Sequence, residues 1–325
     1  MAIHERPLPL IPPLAMLLAL TSPVMAADEG ATGKDENRAL AEVPFTLYQN
    51  AIIVPAVVNG DKSVRLLLDT GWGPLALVTT AAERLGLAVD PPGADGLGRA
   101  HVSSLAIGEA VKLNPLVEVF PAEELAPLIG PHDGVLSTAF FSDLVLQVDY
   151  PASVVRFFRR TPVSTSPSAA GLRGSVPMVF SPRAGKLPFT DSVFIDGKPV
   201  RALFDTGGAG AFVAMRQLVE RAGLQPVPDS GRVGVGMLSG DKMVRQEVKF
   251  TSAGRIALGP FVVNFPRMMI APPQLEGDDW GHDLNIGYGF MRSCIVTFDY
   301  PGQLVTFEKP PGAEPAKLQP PTPSR

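Results

Sequence analysis

Asp69 and Asp205 each stand at the end of an apolar run and each begin the tripeptide Asp-Thr-Gly: Leu66-Leu67-Leu68-Asp69-Thr70-Gly71 and Ala202-Leu203-Phe204-Asp205-Thr206-Gly207. A carboxylate is costly at the end of a buried strand, because an apolar setting disfavours its charge. Two such groups brought to about 3 Å from one another cannot both ionise, so they share one proton. One can then act as a base toward water while the other protonates a leaving group. The residues after each acid suit this pairing. Gly71 and Gly207 let two loops approach without β-carbon clashes, and Thr70 and Thr206 carry hydroxyls able to bond across an interface. One Asp-Thr-Gly is a weak signal, since Asp and Gly end strands and turns widely; two in matching contexts form a pattern.

The contexts match along most of the chain. The tripeptides lie 136 residues apart (205 minus 69), and each follows a hairpin signal, Asn59-Gly60 or Asp196-Gly197, whose residues accept the positive φ of a tight turn. After each acid comes an apolar run, Leu75 to Val78 or Ala211 to Ala214, and then a helix that stops at Gly-Leu. In the first copy Thr80 and Glu83 have capping-box spacing and the helix ends at Leu85-Gly86-Leu87; in the second it runs from about Met215 to Ala222 and ends at Gly223-Leu224. Farther on, His132-Asp133, Phe140, Asp149-Tyr150-Pro151, Val155 and Phe157 recur 150 residues later as His282-Asp283, Phe290, Asp299-Tyr300-Pro301, Val305 and Phe307. The offset grows from 136 to 150, so the second copy holds about 14 extra residues. They fall around Gly231 to Lys242, whose glycines and polar turn predict a protruding hairpin.

Short Val-, Ile- and Phe-rich segments between turns, with one clear helix per copy, predict a mainly β fold. Two copies of a half-site predict two related lobes about a pseudo-twofold axis. The lobes are expected over residues 39–160 and 187–309, with 161–186, rich in Ser, Pro, Gly and Arg, as a linker and 310–325 as a Pro-rich tail. Residues 1–26 have the layout of a signal peptide: a positive start with Arg6, an apolar segment from about Leu8 to Leu20, and Val24-Met25-Ala26 before the expected cleavage. That apolar segment is shorter than the roughly 20 residues of a spanning helix, and Pro9, Pro12 and Pro13 interrupt it. Export is therefore expected, to a periplasm or a secreted pool, with no membrane contact after signal removal.

At 325 residues and 46% hydrophobic content the chain can bury a core in each lobe. Its formal charge is −4, from 28 basic and 32 acidic residues, and no basic cluster exceeds Arg156, Arg159 and Arg160, which argues against a nucleic-acid partner. Cys294 is the one cysteine, so no intramolecular disulfide can form, and its apolar run predicts a buried structural thiol. His132-Asp133 and His282-Asp283 are residue types that bind metals, but their equivalent places in the repeat point to a shared structural task. No Gly-x-Ser-x-Gly, dinucleotide fingerprint or phosphate loop occurs.

With two Asp-Thr-Gly motifs, each followed downstream by a partial apolar-apolar-Gly element (Val135-Leu136-Ser137 and Asn285-Ile286-Gly287), the chain resembles the aspartic peptidase family in its retropepsin-like and pepsin-like branches. The resemblance spans roughly residues 45–160 and 187–309. It implies two β-barrel-like lobes, Asp69 and Asp205 as the catalytic pair between them, Thr70 and Thr206 gripping across the interface, and a hairpin flap over an extended peptide. Gly234, Gly236, Met237 and Leu238 would belong to the flap. Trp72 reads either as a core residue or, from its place beside the acid, as part of a substrate-facing wall. No cofactor is implied; the partner would be a peptide or protein substrate, and a single chain would imitate a dimer. The chain departs from the family at Trp72 and Gly208, which stand where pepsin-like members carry a hydroxyl residue that helps hold the ionised carboxylate. That departure predicts a less acidic pair. Ser137 places a β-carbon where close packing wants none, and the flap segment has no tyrosine. The expected function is an exported aspartic endopeptidase. Alternatives are a catalytically silent peptide-binding module, and halves that pair across a homodimer, which a linker of about 26 residues permits.

Overall fold

The run that ends on Asp69 is buried on both faces. Strand Lys62–Leu68 lies between Ala51–Val58, antiparallel, and Gly134–Leu136, parallel. Alternate side chains point to opposite faces: Leu66 and Leu68 join the main core, and Leu67 enters a smaller cluster with Ile53, Ala76, Phe120 and Val135. Strand Lys198–Phe204 repeats this between Phe189–Ile195 and Leu284–Ile286, with Ala202 and Phe204 in the main core and Leu203 beside Leu187 and Phe189. A strand covered on both faces shows no polar alternation, which is why the sequence runs apolar up to each acid.

These strands belong to a computed structural model that describes residues 38–122, 130–160, 171–228, 232–233, 237–239, 242–244, 247–272 and 281–312. As far as the described residues go, the fold is mainly β: a ten-stranded sheet in the first lobe, an eight-stranded sheet in the second, and a six-stranded sheet shared by both. In the second copy Asp196 (φ 49) and Gly197 (φ 80) form a two-residue turn between the paired Ile195 and Lys198; the first turn, with Asn59 at φ 53 and Gly60 at φ 86, is one residue longer. Helices Thr79–Leu85 and Arg216–Ala222 follow their strands directly and end on the left-handed Gly86 and Gly223. The expected capping box is not formed. The first helix starts at Thr79 with Val78 at its N-cap and no side-chain cap, because Val78 still belongs to the buried strand and its N–H is held by Asp133 O at 2.9 Å.

The shared sheet has the order Ala41–Pro44, Val154–Phe158, Val145–Asp149, Ile295–Asp299, Leu304–Lys309, Leu172–Pro177. At its centre Val145 pairs with Asp299, Gln147 with Thr297 and Asp149 with Ile295. Gln147 and Thr297 are counterparts in the repeat, 150 residues apart, and Gln147 Nε2 donates to Thr297 Oγ1 at 3.2 Å. A residue paired with its own counterpart marks an isologous contact, so the pseudo-twofold axis passes through this pair.

The symmetry corrects the expected linker. Within 161–186, residues 172–177 form an edge strand paired with Leu304–Lys309, just as Ala41–Pro44 edges the other side against Val154–Phe158. Val176-Pro177 is thus the counterpart of Val43-Pro44, and the second copy begins well before 187. Only Val176 of that strand is buried, so its composition resembles a loop. Proline is tolerated there because an edge strand leaves one row of N–H groups unpaired. The hairpin expected in the second copy is present in the backbone: Arg232–Val233 pairs with Glu247–Val248, and Met237–Ser239 with Lys242–Val244.

Candidate active site

Each acid is placed by the strand that follows the His-Asp pair. Asp69 N donates to Leu136 O and Asp205 N to Ile286 O, both at 2.9 Å. Asp133 and Asp283 lock these strands in turn. Asp133 Oδ2 accepts from Arg65 N at 2.8 Å and Asp283 Oδ2 from Arg201 N at 3.1 Å, while Arg84 and Arg221 of the helices pair with the same carboxylates at 2.5 and 2.9 Å. The repeated aspartates therefore have a shared structural task.

The threonines then tie the loops together. Thr70 Oγ1 donates to Phe204 O at 2.7 Å and accepts from Thr206 N at 3.0 Å; Thr206 Oγ1 donates to Leu68 O at 2.8 Å and accepts from Thr70 N at 3.0 Å. Both side chains are fully buried. The carboxyls of Asp69 and Asp205 meet beside this crossing: a β-carbon at Gly71 would stand 2.9 Å from Asp205 Oδ1 and 3.2 Å from Asp69 Oδ1. Each is roofed by the other loop's glycine: a β-carbon at Gly71 would stand 2.8 Å from Asp205 Cγ, and one at Gly207 2.6 Å from Asp69 Cγ. Gly71 N donates to Asp69 Oδ1 at 2.7 Å and Gly208 N to Asp205 Oδ1 at 2.8 Å. The structure thus brings Asp69, Thr70, Gly71, Asp205, Thr206 and Gly207 together within one chain.

The environment separates the two acids electrostatically. Burial pushes Asp69 well above the usual carboxylate range and the charge of Asp205 pushes it further, against the Gly71 N–H. Burial also raises Asp205, but the Gly208 N–H, the hydrogen bond with Asp69, the Gly207 N–H and the Asn285 amide all favour its charged form. Both are raised, so the pair holds a shared proton above the usual carboxylate range.

Beyond the acids the loops differ. Thr138 N and Ala139 N donate to Trp72 O and Gly73 O at 3.2 Å, whereas Tyr288 N and Gly289 N donate to Gly208 O at 2.8 Å and Gly210 O at 3.0 Å. The second loop thus carries one extra residue, Ala209. This explains Ser137, expected to be a misfit. It is fully buried, and its hydroxyl donates to Gly73 O at 2.8 Å and accepts from Ala139 N at 3.3 Å. Its counterpart Gly287 has no such room, since a β-carbon there would lie 2.5 Å from Gly210 O. Gly287→Ala is therefore expected to cost about 1–3 kcal/mol through overpacking, and Ser137→Gly about 1 kcal/mol through a lost hydrogen bond; urea unfolding of the two variants checks the order.

Trp72 packs on Phe120, ring centroids 6.0 Å apart, at the edge of the small first-lobe cluster. Met237 and Leu238 lie in the second-copy hairpin, paired with Val244 and Met243; Gly234 and Gly236 fall outside the described residues. One polar neighbour of the acids was missed: Asn285 Nδ2 donates to Asp205 Oδ2 at 3.3 Å. Its signal in the sequence was an amide inside an otherwise apolar element.

The two lobes thus each lend one Asp-Thr-Gly loop to a single site. Residues 192–290 match the family described as aspartyl protease, a segment that takes in Asp205 and the strands around it. The match supports an aspartic peptidase family and a hydrolase of aspartic type. Among solved structures the chain is similar to the crystal structure of aspartic proteinase from Irpex lacteus, with 12% identity over 86% of this chain and 99% of that one and a TM-score of 0.49. No curated protein matches the chain.

Proposed function

We propose that the protein is an active aspartic endopeptidase that cleaves an extended peptide and is exported to a periplasm or a secreted pool, working as a single chain without a cofactor. The observation that carries this is the crossed Thr70–Thr206 bonding that holds the two carboxyls side by side. Asp205, the ionised member, takes a proton from a water whose oxygen attacks the scissile carbonyl carbon, while Asp69 gives its proton to the carbonyl oxygen. Asp205 then gives its proton to the amide nitrogen as the C–N bond breaks, and Asp69 takes a proton back from a hydroxyl of the tetrahedral diol, which leaves a carboxyl product and restores the pair. A pocket of about 520 Å³ beside the first loop, bordered by Gly73, Pro74, Thr138, Ala139 and Lys186, offers room for a substrate side chain. The Met237–Ser239 hairpin acts as the flap, and Trp72 as part of the wall. Export rests on the layout of residues 1–26.

Incubating the purified chain with denatured protein between about pH 3 and pH 7 tests this, with a statine-type inhibitor as control. Cleavage blocked by the inhibitor supports the proposal; peptide binding without cleavage favours the silent binding module. Because both carboxyls are raised, both limbs of the rate profile move upward. The optimum is expected at mild acidity, and a rate that is full only below about pH 3, under the usual carboxylate range, overturns that expectation.

A further inference from the structure

The polar neighbour of Asp205 is itself held in place. His282 Nε2 lies 2.6 Å from Asn285 Oδ1, and an amide oxygen only accepts, so that ring nitrogen carries a hydrogen. It does so both in the neutral Nε2–H tautomer and in the imidazolium, and in either state it turns the Asn285 NH₂ toward Asp205 Oδ2, 3.3 Å away. His282 is buried, lies against the Phe189 ring, and has its backbone carbonyl held by Gln217 Nε2 at 2.6 Å. Asn285 sits in the middle of strand Leu284–Ile286, paired on one side with Leu203 and on the other with Val213, so its backbone is fixed as well. Among the described residues the first lobe differs at the position of the amide. Its counterpart of Asn285 is Val135, which lies in the apolar cluster with Ile53, Ala76 and Phe120 and whose side chain has no donor to offer Asp69.

We propose that Asn285, oriented by His282, is a positioning residue that holds Asp205 as the charged member of the pair and so fixes which acid gives and which takes a proton. The titratable groups that face Asp205 are Asp69 across the interface and Tyr150, which follows strand Val145–Asp149. Beside His282, Asp283 is charge-paired with Arg221. None of these is altered by a change at Asn285.

The kinetic test rests on the peptidase proposal. Asn285→Val, which copies the first lobe, and His282→Leu are each expected to move the acid limb of kcat/KM upward by about one pH unit, a tenfold change in one ionisation constant. His282→Gln, whose amide can still donate to Asn285 Oδ1, is expected to keep the wild-type limb, which a merely space-filling histidine would not explain. A folded Asn285→Val, judged by circular dichroism and melting, with an unmoved limb overturns the inference. If the wild-type chain hydrolyses nothing, the peptidase proposal fails by itself, and the same question is read from the full chain labelled with ¹³C at the Asp carboxyls. With the Asp205 signal assigned through Asp205→Asn, an upward shift of its titration in Asn285→Val upholds the inference and an unchanged titration overturns it.

Discussion

Asp69→Asn and Asp205→Asn are each expected to lower kcat/KM by about 10²- to 10⁴-fold, the range that general acid–base groups contribute, while the chain stays folded. Asparagine keeps the shape of the carboxyl and accepts from the same N–H groups, so the loss is in proton transfer. Either variant hydrolysing unfolded protein at the wild-type rate would show that the pair is not the proton relay. The same variants carry a second signature that needs no turnover. Both carboxyls are raised in the folded chain, so between the ordinary carboxylate range and those raised values the unfolded state has lost protons that the folded state keeps. Folding stability is then full at low pH and falls as pH rises through that window. The Asn variants titrate nothing at that position. Melting temperatures at pH 7 should therefore stand above wild type, with the gap closing toward about pH 4; variants that melt below wild type at both pH values would mean that the buried acids are not raised.

Thr206→Val carries the largest expected loss of stability, about 2–6 kcal/mol. It removes one hydroxyl that serves two buried backbone groups, leaving Thr70 N without an acceptor and Leu68 O without its donor, at about 1–3 kcal/mol each. Valine fills the same space, so no cavity confuses the result. The loss also bears on function, because the Asp69 and Asp205 loops are attached to one another chiefly through this crossing. Urea unfolding measures the first effect, and kcat/KM at a pH where the variant is fully folded measures the second. Thr70→Val should match it through Phe204 O and Thr206 N. A pair of variants that differ widely would show that the crossing is not the symmetric joint the distances describe.

Much of the site was legible because it is written twice. Asp69 and Asp205, the threonines after them, the hairpin turns and the His-Asp pairs each have a local signature, and the repeat turned weak signatures into a pattern. What stayed hidden depends on partners distant in sequence. Strand Leu172–Pro177 is held along one edge and buries only Val176, so it needs no apolar alternation and its composition is that of a linker; the match of Val176-Pro177 to Val43-Pro44 is its trace in the sequence. Ser137 read as a flaw because its acceptor, Gly73 O, comes from a loop whose length differs between the copies. Asn285 read as an imperfect apolar position because Asp205, 80 residues away, is what it serves.

The pairing of Gln147 with Thr297 has one more consequence. In a dimer of identical chains every substitution is written on both sides of the axis, and a change that helps one half of the site is imposed on the other. A fused chain lifts that constraint at each position separately. The centre of the shared sheet already shows it, with glutamine facing threonine where a true twofold would set a residue against itself. The same freedom lets a valine insulate one acid while an asparagine touches the other, so that two copies of one loop can hold two different jobs.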